Sequence, residues 1–230
     1  MRSGRNNGLV IAIDGPSGAG KSTLTRLLAQ RLGYIHIDTG AMYRTLALAV
    51  SRSGLPLDDE AAVAALCGGI EIRFRRDDGG YRVIANGEDV SLAIRTPEIS
   101  MLTSQISAQG GVREILLKLQ HEMGREGGVI LEGRDIGTVV FPDAEVKFFL
   151  SATPLERGQR RFLELRDKGV QATLEDTVAA VVQRDEQDAA RELAPLKKAP
   201  DAVEIDSTGI TIEEVLSRME QLVRERVPSP

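Results

Sequence analysis

Residues Gly15, Pro16, Ser17, Gly18, Ala19, Gly20, Lys21 and Ser22 fit the pattern G-x-x-x-x-G-K-[ST]. Each residue type there suits a polyphosphate. Glycines let the backbone turn so that successive N–H groups face one anion. A helix starting directly after them adds partial positive charge. Lys21 can reach the β- and γ-phosphates of a nucleoside triphosphate, and the Ser22 hydroxyl can serve Mg²⁺. Such a loop indicates nucleotide binding but leaves the reaction open. No Asn-Lys-x-Asp segment is present to read guanine, and no strand ends in the acidic pair of an ATPase motor.

Four further segments carry chemistry. Asp38-Thr39-Gly40-Ala41-Met42-Tyr43-Arg44 follows a short apolar run. At the carboxyl end of a strand, Asp38 can face metal and phosphates and Arg44 a second anion. Taken alone, the segment reads better as a helix start capped by Thr39, with Arg44 in solvent. Glu132-Gly133-Arg134-Asp135-Ile136-Gly137-Thr138 sets a carboxylate beside a guanidinium, for reading a base or a metal, or as a surface ion pair of little worth. Arg157, Arg160 and Arg161 fall on neighbouring helix faces. They suit phosphate oxygens during transfer, and equally an exposed helix laced with Glu156 and Glu164. Arg184, Asp188 and Arg191 form one helical stripe at i, i+4 and i+7, either an ion ladder or a pocket wall for ribose and phosphate.

The elements that must hold these residues follow from periodicity. Leu9 to Asp14 has strand length and ends at Gly15-Pro16. Leu24, Leu27, Leu28 and Leu32 form a helical stripe stopped by Gly33. Tyr34 to Asp38 reads as a strand and Ala41 to Val50 as a helix, so βαβ units on a parallel sheet are expected. Ile70 to Arg76 and Tyr81 to Ala85 alternate around Asp77-Asp78-Gly79-Gly80, a hairpin, with Asn86-Gly87 as a second turn. Helical stretches at 97–125, a strand at 129–131, a strand at 146–150, helices at 154–168 and 173–191, a strand at 202–206 and a helix at 211–226 complete the pattern.

Composition limits the alternatives. The 230 residues are 42% hydrophobic and 27% charged, an ordinary globular mix. Aromatics are only 3%, thin for stacking single-stranded nucleic acid, and the net charge of −5 disfavours a polyanion-binding surface. A single cysteine, Cys67, excludes an internal disulfide framework, and no Cys/His cluster has zinc spacing. The apolar run after the basic start is too short for a signal-peptide core, and nothing approaches a membrane span. The expectation is a cytoplasmic monomer with small-molecule substrates, bound neither to nucleic acid nor to membrane.

In order along 8–225, GPSGAGKS, DTGAMYR, NGEDVS with IRTPEIS, EGRDIGTVVFPDA, RDEQDAAR and APLKKAPDAVEIDST resemble the blocks of bacterial cytidylate kinases, a nucleoside monophosphate kinase family. The phosphate loop is common to many enzymes; the EGRDIGT and DAVEIDST blocks are much narrower. The resemblance implies transfer of a phosphoryl group from ATP, with Mg²⁺, to CMP or dCMP. It implies a three-layer α/β fold with a central parallel five-stranded sheet, an inserted antiparallel hairpin module for the acceptor and a short helical lid. The boundaries are 1–67 for the core with its phosphate loop, 68–95 for the insert and 96–230 for the rest of the core, with the lid near 154–172.

By the same resemblance, Gly15 to Ser22 with Thr23, and Arg157 and Arg161 of the lid, would hold ATP. Thr39, Arg44, Ser104, Arg113, Gly133, Arg134, Asp135, Arg184, Asp188 and Arg191 would hold the acceptor, with Asp135 reading the cytosine amine. Lys21, Arg160, Arg184 and Asp188 would carry the transfer, and Ser22 and Asp38 would face the metal. Many relatives have Ser at Thr39 and Asp at Glu132. The rivals are a kinase of the same fold for adenylate, thymidylate or shikimate, and a nucleotide sensor without turnover.

Overall fold

The structure is a computed structural model that describes residues 7–77, 80–167 and 169–226. Most of the polar tail expected at 1–8, the hairpin-turn residues Asp78-Gly79, Lys168 at the expected helix end, and 227–230 lie outside the described residues. The strands are β1 (Val10–Asp14), β2 (Ile35–Asp38), β3 (Ile72–Asp77), β4 (Gly80–Ala85), β5 (Glu88–Asp89), β6 (Val129–Gly133), β7 (Val146–Ser151) and β8 (Val203–Asp206). The helices are α1 (Lys21–Leu32), α2 (Thr39–Ser53), α3 (Glu60–Gly68), α4 (Pro97–Ile106), α5 (Gly110–Gly124), α6 (Pro154–Asp167), α7 (Leu174–Ala189) and α8 (Ile212–Arg224).

The chain forms two compact units, one of Met1–Ile37 with Met123–Pro230 and one of Asp38–Glu122. The first holds a five-stranded parallel sheet in the order β2-β6-β1-β7-β8. Every residue of β1 and β6 is buried, as continuous apolar runs in a parallel sheet require. Leu24 and Leu28 of α1 meet Val215, Leu216, Met219 and Val223 of α8 over Ile11, Ile13, Phe148 and Ile205. Each such side chain contributes about 1.5–3 kcal/mol on full burial. α8 starts on a capping box, in which Thr211 and Glu214 satisfy each other's backbone N–H groups.

The register does the positioning. Asp14 at the carboxyl end of β1 pairs with Gly133 of β6 on one side and Phe149 of β7 on the other. The phosphate loop and the Gly133-Arg134-Asp135 segment therefore leave adjacent strand ends, at the edge where ligands bind in open α/β sheets.

In the second unit, β3, β4 and β5 form an antiparallel sheet, with Phe74 opposite Val83 and Arg75 opposite Arg82. This sheet occupies the stretch expected at 68–95. The compact unit around it spans 38–122 because α2 packs on α3, α4 and β4. Several elements had no counterpart in the sequence reading. They include α3, started by Asp59, whose carboxylate accepts from the Ala62 N–H, and a single π-helical turn at Ile136–Val140. Among the described residues no helix is long and apolar enough to cross a membrane.

Candidate functional site

The loop between β1 and α1 is built for close approach. Gly15 has φ 144° and a Cβ there would lie 2.0 Å from the Leu150 carbonyl oxygen. Gly18 has φ 77°, and its Cβ would meet Arg157 at 3.0 Å. Only glycine fits either place. Lys21 opens α1 buried, its Nζ donating to the Gly15 and Pro16 carbonyls at 2.8 and 2.6 Å. Burial holds the Lys21 ammonium well below its ordinary pKa; Arg134 and Arg184 push the same way, while Glu132 and Asp14 oppose. Such an ammonium lacks water and is poised for an anionic ligand.

Two carboxylates tie this loop to the end of β6. The Ser22 Oγ donates to Glu132 Oε2 at 2.8 Å, and the other Glu132 oxygen lies 2.8 Å from His36 Nε2. Asp14 accepts from the N–H groups of Ile136 and Gly137 at 2.8 and 2.7 Å. These bonds fix the first turn after Asp135, which is itself buried. Burial pushes the Asp14 carboxyl up to about 6 against the pull of those two N–H groups, and the Asp135 charge adds to the rise.

That shift has a sign. The folded pKa lies above the ordinary 3.8, so the fold disfavours the ionised form. Asp14 lowers stability fully above pH about 6, and this loss is relieved as pH falls from 6 towards 3.8. Compared with Asp14→Asn, the wild type should gain about 3 kcal/mol across that window in urea unfolding. A difference that stays flat with pH would contradict the assignment.

The three arginines of α6 separate. Arg157 is buried: its Nη1 donates to the Ser17 carbonyl at 3.0 Å, its Nε to the Ala152 carbonyl, and its Nη2 to Asp185 of α7. The reading of an exposed, Glu-laced helix fails for this residue, because α6 packs on α7 and on the loop. Arg160 reaches the Gly18 carbonyl, Ser207 and Glu156. Arg161 pairs with Glu164 near the surface, as the laced-helix reading has it.

Asp188 is the centre of the remaining cluster. Its side chain is 1% exposed and accepts from Arg134 Nε at 2.8 Å and from Arg191 Nη2. Burial raises the Asp188 pKa, but Arg134, Arg191 and Arg184 outweigh it and hold the carboxyl below its ordinary value. The expected three-residue helical stripe is corrected here. α7 ends at Ala189, so Arg191 lies past the helix end and reaches Asp188 from outside it. The third partner, Arg134, comes from the end of β6. Arg184 acts electrostatically on both Lys21 and Asp188, so it belongs to both groups.

In the second unit, Asp38 rather than Thr39 caps α2, its Oδ1 accepting from the Ala41 N–H at 2.8 Å. Its Oδ2 accepts from Arg44 at 2.9 Å, so Arg44 is held rather than solvated. The Arg44 Nε is buried without a hydrogen-bond partner, a donor suited to an incoming anion. Thr39 is buried at the start of α2. Arg113 of α5 lies over the Tyr43 ring at 5.9 Å and donates to the Ser107 carbonyl; Ser104 is half-buried on α4. The structure thus brings Lys21, Ser22, Arg134, Asp135, Arg157, Arg160, Arg184, Asp188 and Arg191 together in one unit, and Asp38, Thr39, Arg44, Ser104 and Arg113 in the other. His36 and Asp14 are polar partners that the sequence reading did not single out. Their only signal was a His within an apolar run and an Asp at a strand end.

The family model for cytidylate kinases matches residues 11–225. The cytidylate kinase of Geobacter sulfurreducens is 66% identical over 226 residues, covering 98% of this chain and 97% of that protein. That of Syntrophotalea carbinolica is 62% identical over 221 residues, covering 96% and 94%. A solved structure of an uncharacterised protein from Eubacterium ventriosum aligns over 94% of this chain and 98% of its own, with a TM-score of 0.50 at 10% identity. It shares the fold alone.

Proposed function

The chain belongs to the cytidylate kinase family, and from that premise we propose how its residues transfer the γ-phosphoryl group of ATP to CMP and dCMP. The products are ADP with CDP or dCDP. The observation that carries the reading is the bonding between donor loop and strand-end segment, through Ser22 with Glu132 and Asp14 with Ile136 and Gly137.

Gly15 to Thr23 cradle the triphosphate, and Lys21 exchanges its two carbonyl partners for β- and γ-phosphate oxygens. Ser22 and Glu132 present only oxygen donors, a set that suits Mg²⁺. Ser22 would hold the ion; Asp38, the other ligand the resemblance implies, caps α2 in the second unit. Mg²⁺, when bound, neutralises charge on the β- and γ-phosphates. Arg160 does the same for the transferring group, while Arg157, engaged with the Ser17 carbonyl, shapes the loop from behind. Arg161 approaches the nucleotide as the lid at 154–172 closes.

Asp135 reads the exocyclic amine of cytosine, because a carboxylate accepts from that donor. Gly133 and Arg134 flank it. Arg184 and Asp188 hold the sugar, and Arg191 the acceptor phosphate. Thr39, Arg44, Ser104 and Arg113 complete acceptor binding together with the insert at 68–95. The attacking phosphate oxygen is already anionic, so no general base is needed. Catalysis is positioning and charge neutralisation. The reading further takes the enzyme to be a cytoplasmic monomer, which light scattering at working concentration tests for the oligomeric state.

A coupled ADP assay across all nucleoside and deoxynucleoside monophosphates tests the acceptor. Turnover should be highest with CMP and dCMP, and equal rates with AMP or dTMP would overturn it. Asp135→Ala should shrink the preference for CMP over UMP by about 5- to 150-fold, roughly 1–3 kcal/mol for one good base contact. An unchanged kcat/KM ratio would remove Asp135 as the reader.

A further inference from the structure

β2 is an edge strand on which the apolar Ile35 is 56% exposed while the polar His36 beside it is buried. A buried imidazole on an edge strand needs a partner. It has one in Glu132 on the neighbouring strand β6, which is 3% exposed. The Glu132 carboxylate divides its oxygens, Oε1 to His36 Nε2 and Oε2 to the Ser22 hydroxyl, each at 2.8 Å. A carboxylate oxygen accepts, so the imidazole donates through Nε2 and Ser22 donates through its hydroxyl hydrogen.

The chemistry of this chain of bonds is directional. The terminal torsion of a glutamate is broad and nearly two-fold, so a carboxylate held at one oxygen alone can rotate. His36 removes that freedom by holding the second oxygen. The fixed carboxylate then points the Ser22 hydrogen at itself, and both lone pairs of the hydroxyl face away from it. Lone pairs are what a hard cation takes from a hydroxyl. Glu132 also acts electrostatically on Lys21, favouring its charged form. His36 touches neither Lys21 nor Ser22 through any of these bonds and acts through Glu132.

We infer that His36 is a positioning residue of the phosphate loop, which locks Glu132 so that the Ser22 hydroxyl is pre-aimed at the metal of the bound metal–nucleotide. The inference rests on the reading of Ser22 as the residue that holds Mg²⁺. Outer-shell partners of this kind are worth about 10- to 100-fold in metal affinity.

The test is binding, not turnover. Calorimetry measures ATP affinity with excess MgCl₂ and with EDTA, for the wild type, His36→Leu, His36→Gln and Ser22→Ala. His36→Leu should weaken Mg²⁺-dependent ATP binding by about tenfold and leave metal-free ATP binding within about twofold. His36→Gln, whose amide nitrogen has the reach of Nε2, should recover most of the loss. Equal affinities of His36→Leu and wild type in both conditions would overturn the inference. So would equal losses in both, which mark a merely structural residue. If Ser22→Ala keeps full Mg²⁺ dependence, the metal reading of Ser22 fails, and that outcome is separate from any result at His36. Should His36→Leu not fold, His36→Asn, too short to reach Glu132, carries the same expectation.

Discussion

Lys21→Ala is expected to lower kcat/KM by about 10²- to 10³-fold, roughly 3–4 kcal/mol, the scale of losing one preorganised group that meets developing charge. The wild-type ammonium is buried and donates to two carbonyls of its own loop, Gly15 and Pro16. Those bonds hold it where the phosphates arrive. Removing it loses two hydrogen bonds but also removes a buried charge whose desolvation opposed folding. The two effects have opposite signs, so the melting temperature should shift by only a few degrees on the usual scale for a chain of this size. Steady-state kinetics with circular dichroism check both halves. Near-normal turnover in a folded variant would end the phosphate-loop assignment.

Asp188→Ala is expected to damage both stability and catalysis. Asp188 stands between Arg134 and Arg191, whose side chains are 18% and 10% exposed. Removing the carboxylate leaves two guanidinium groups facing each other with little water. Breaking a buried pair in this way costs about 3–5 kcal/mol, which corresponds to roughly 6–20 °C in melting temperature for a chain of this length. The same change takes away the carboxylate to which Arg191 donates, so KM for both CMP and dCMP should rise. Asp188→Asn, which keeps the shape and one acceptor oxygen, should melt between the two. A variant that melts like the wild type would show that the cluster is wetter than the geometry describes. Unchanged KM values with a lowered melting temperature would make the cluster purely structural.

Much of the site was legible because its residues obey local rules. The phosphate loop constrains consecutive backbone angles, so sequence alone names every residue in it. Gly33 marks the end of α1 for the same reason: its φ of 69° suits glycine. What local rules cannot show is a partner far away in the chain. Arg134 reaches Asp188 across 54 residues, and Ser22 reaches Glu132 across 110. At β2 the strand itself was legible from Tyr34 to Asp38, but the burial of His36 was not, because its partner is a carboxylate on β6, 96 residues on. The arginines of α6 show the same limit. Their spacing is helical either way, and only the packing of α6 on α7 and the loop decides that Arg157 is buried while Arg161 remains near solvent.

β2 and β6 are neighbours in the sheet, yet residues 39–128, and with them nearly all of the second unit, lie between them in the chain. Joining two points separated by roughly 90 residues costs about 4 kcal/mol of closure entropy if the intervening chain is loose. The cost falls if that stretch has already condensed, beginning with its local β3–β4 hairpin and followed by α2 closing on α4. The expected order of events during refolding is therefore the 38–122 unit early and the β2–β6 pairing late, a non-local step of the slow kind. Until that step, β6 presents a bare edge of Val129, Ile130 and Leu131, the sort of strand that pairs with another chain. Refolding yield should accordingly fall as protein concentration rises, even where the finished protein is stable.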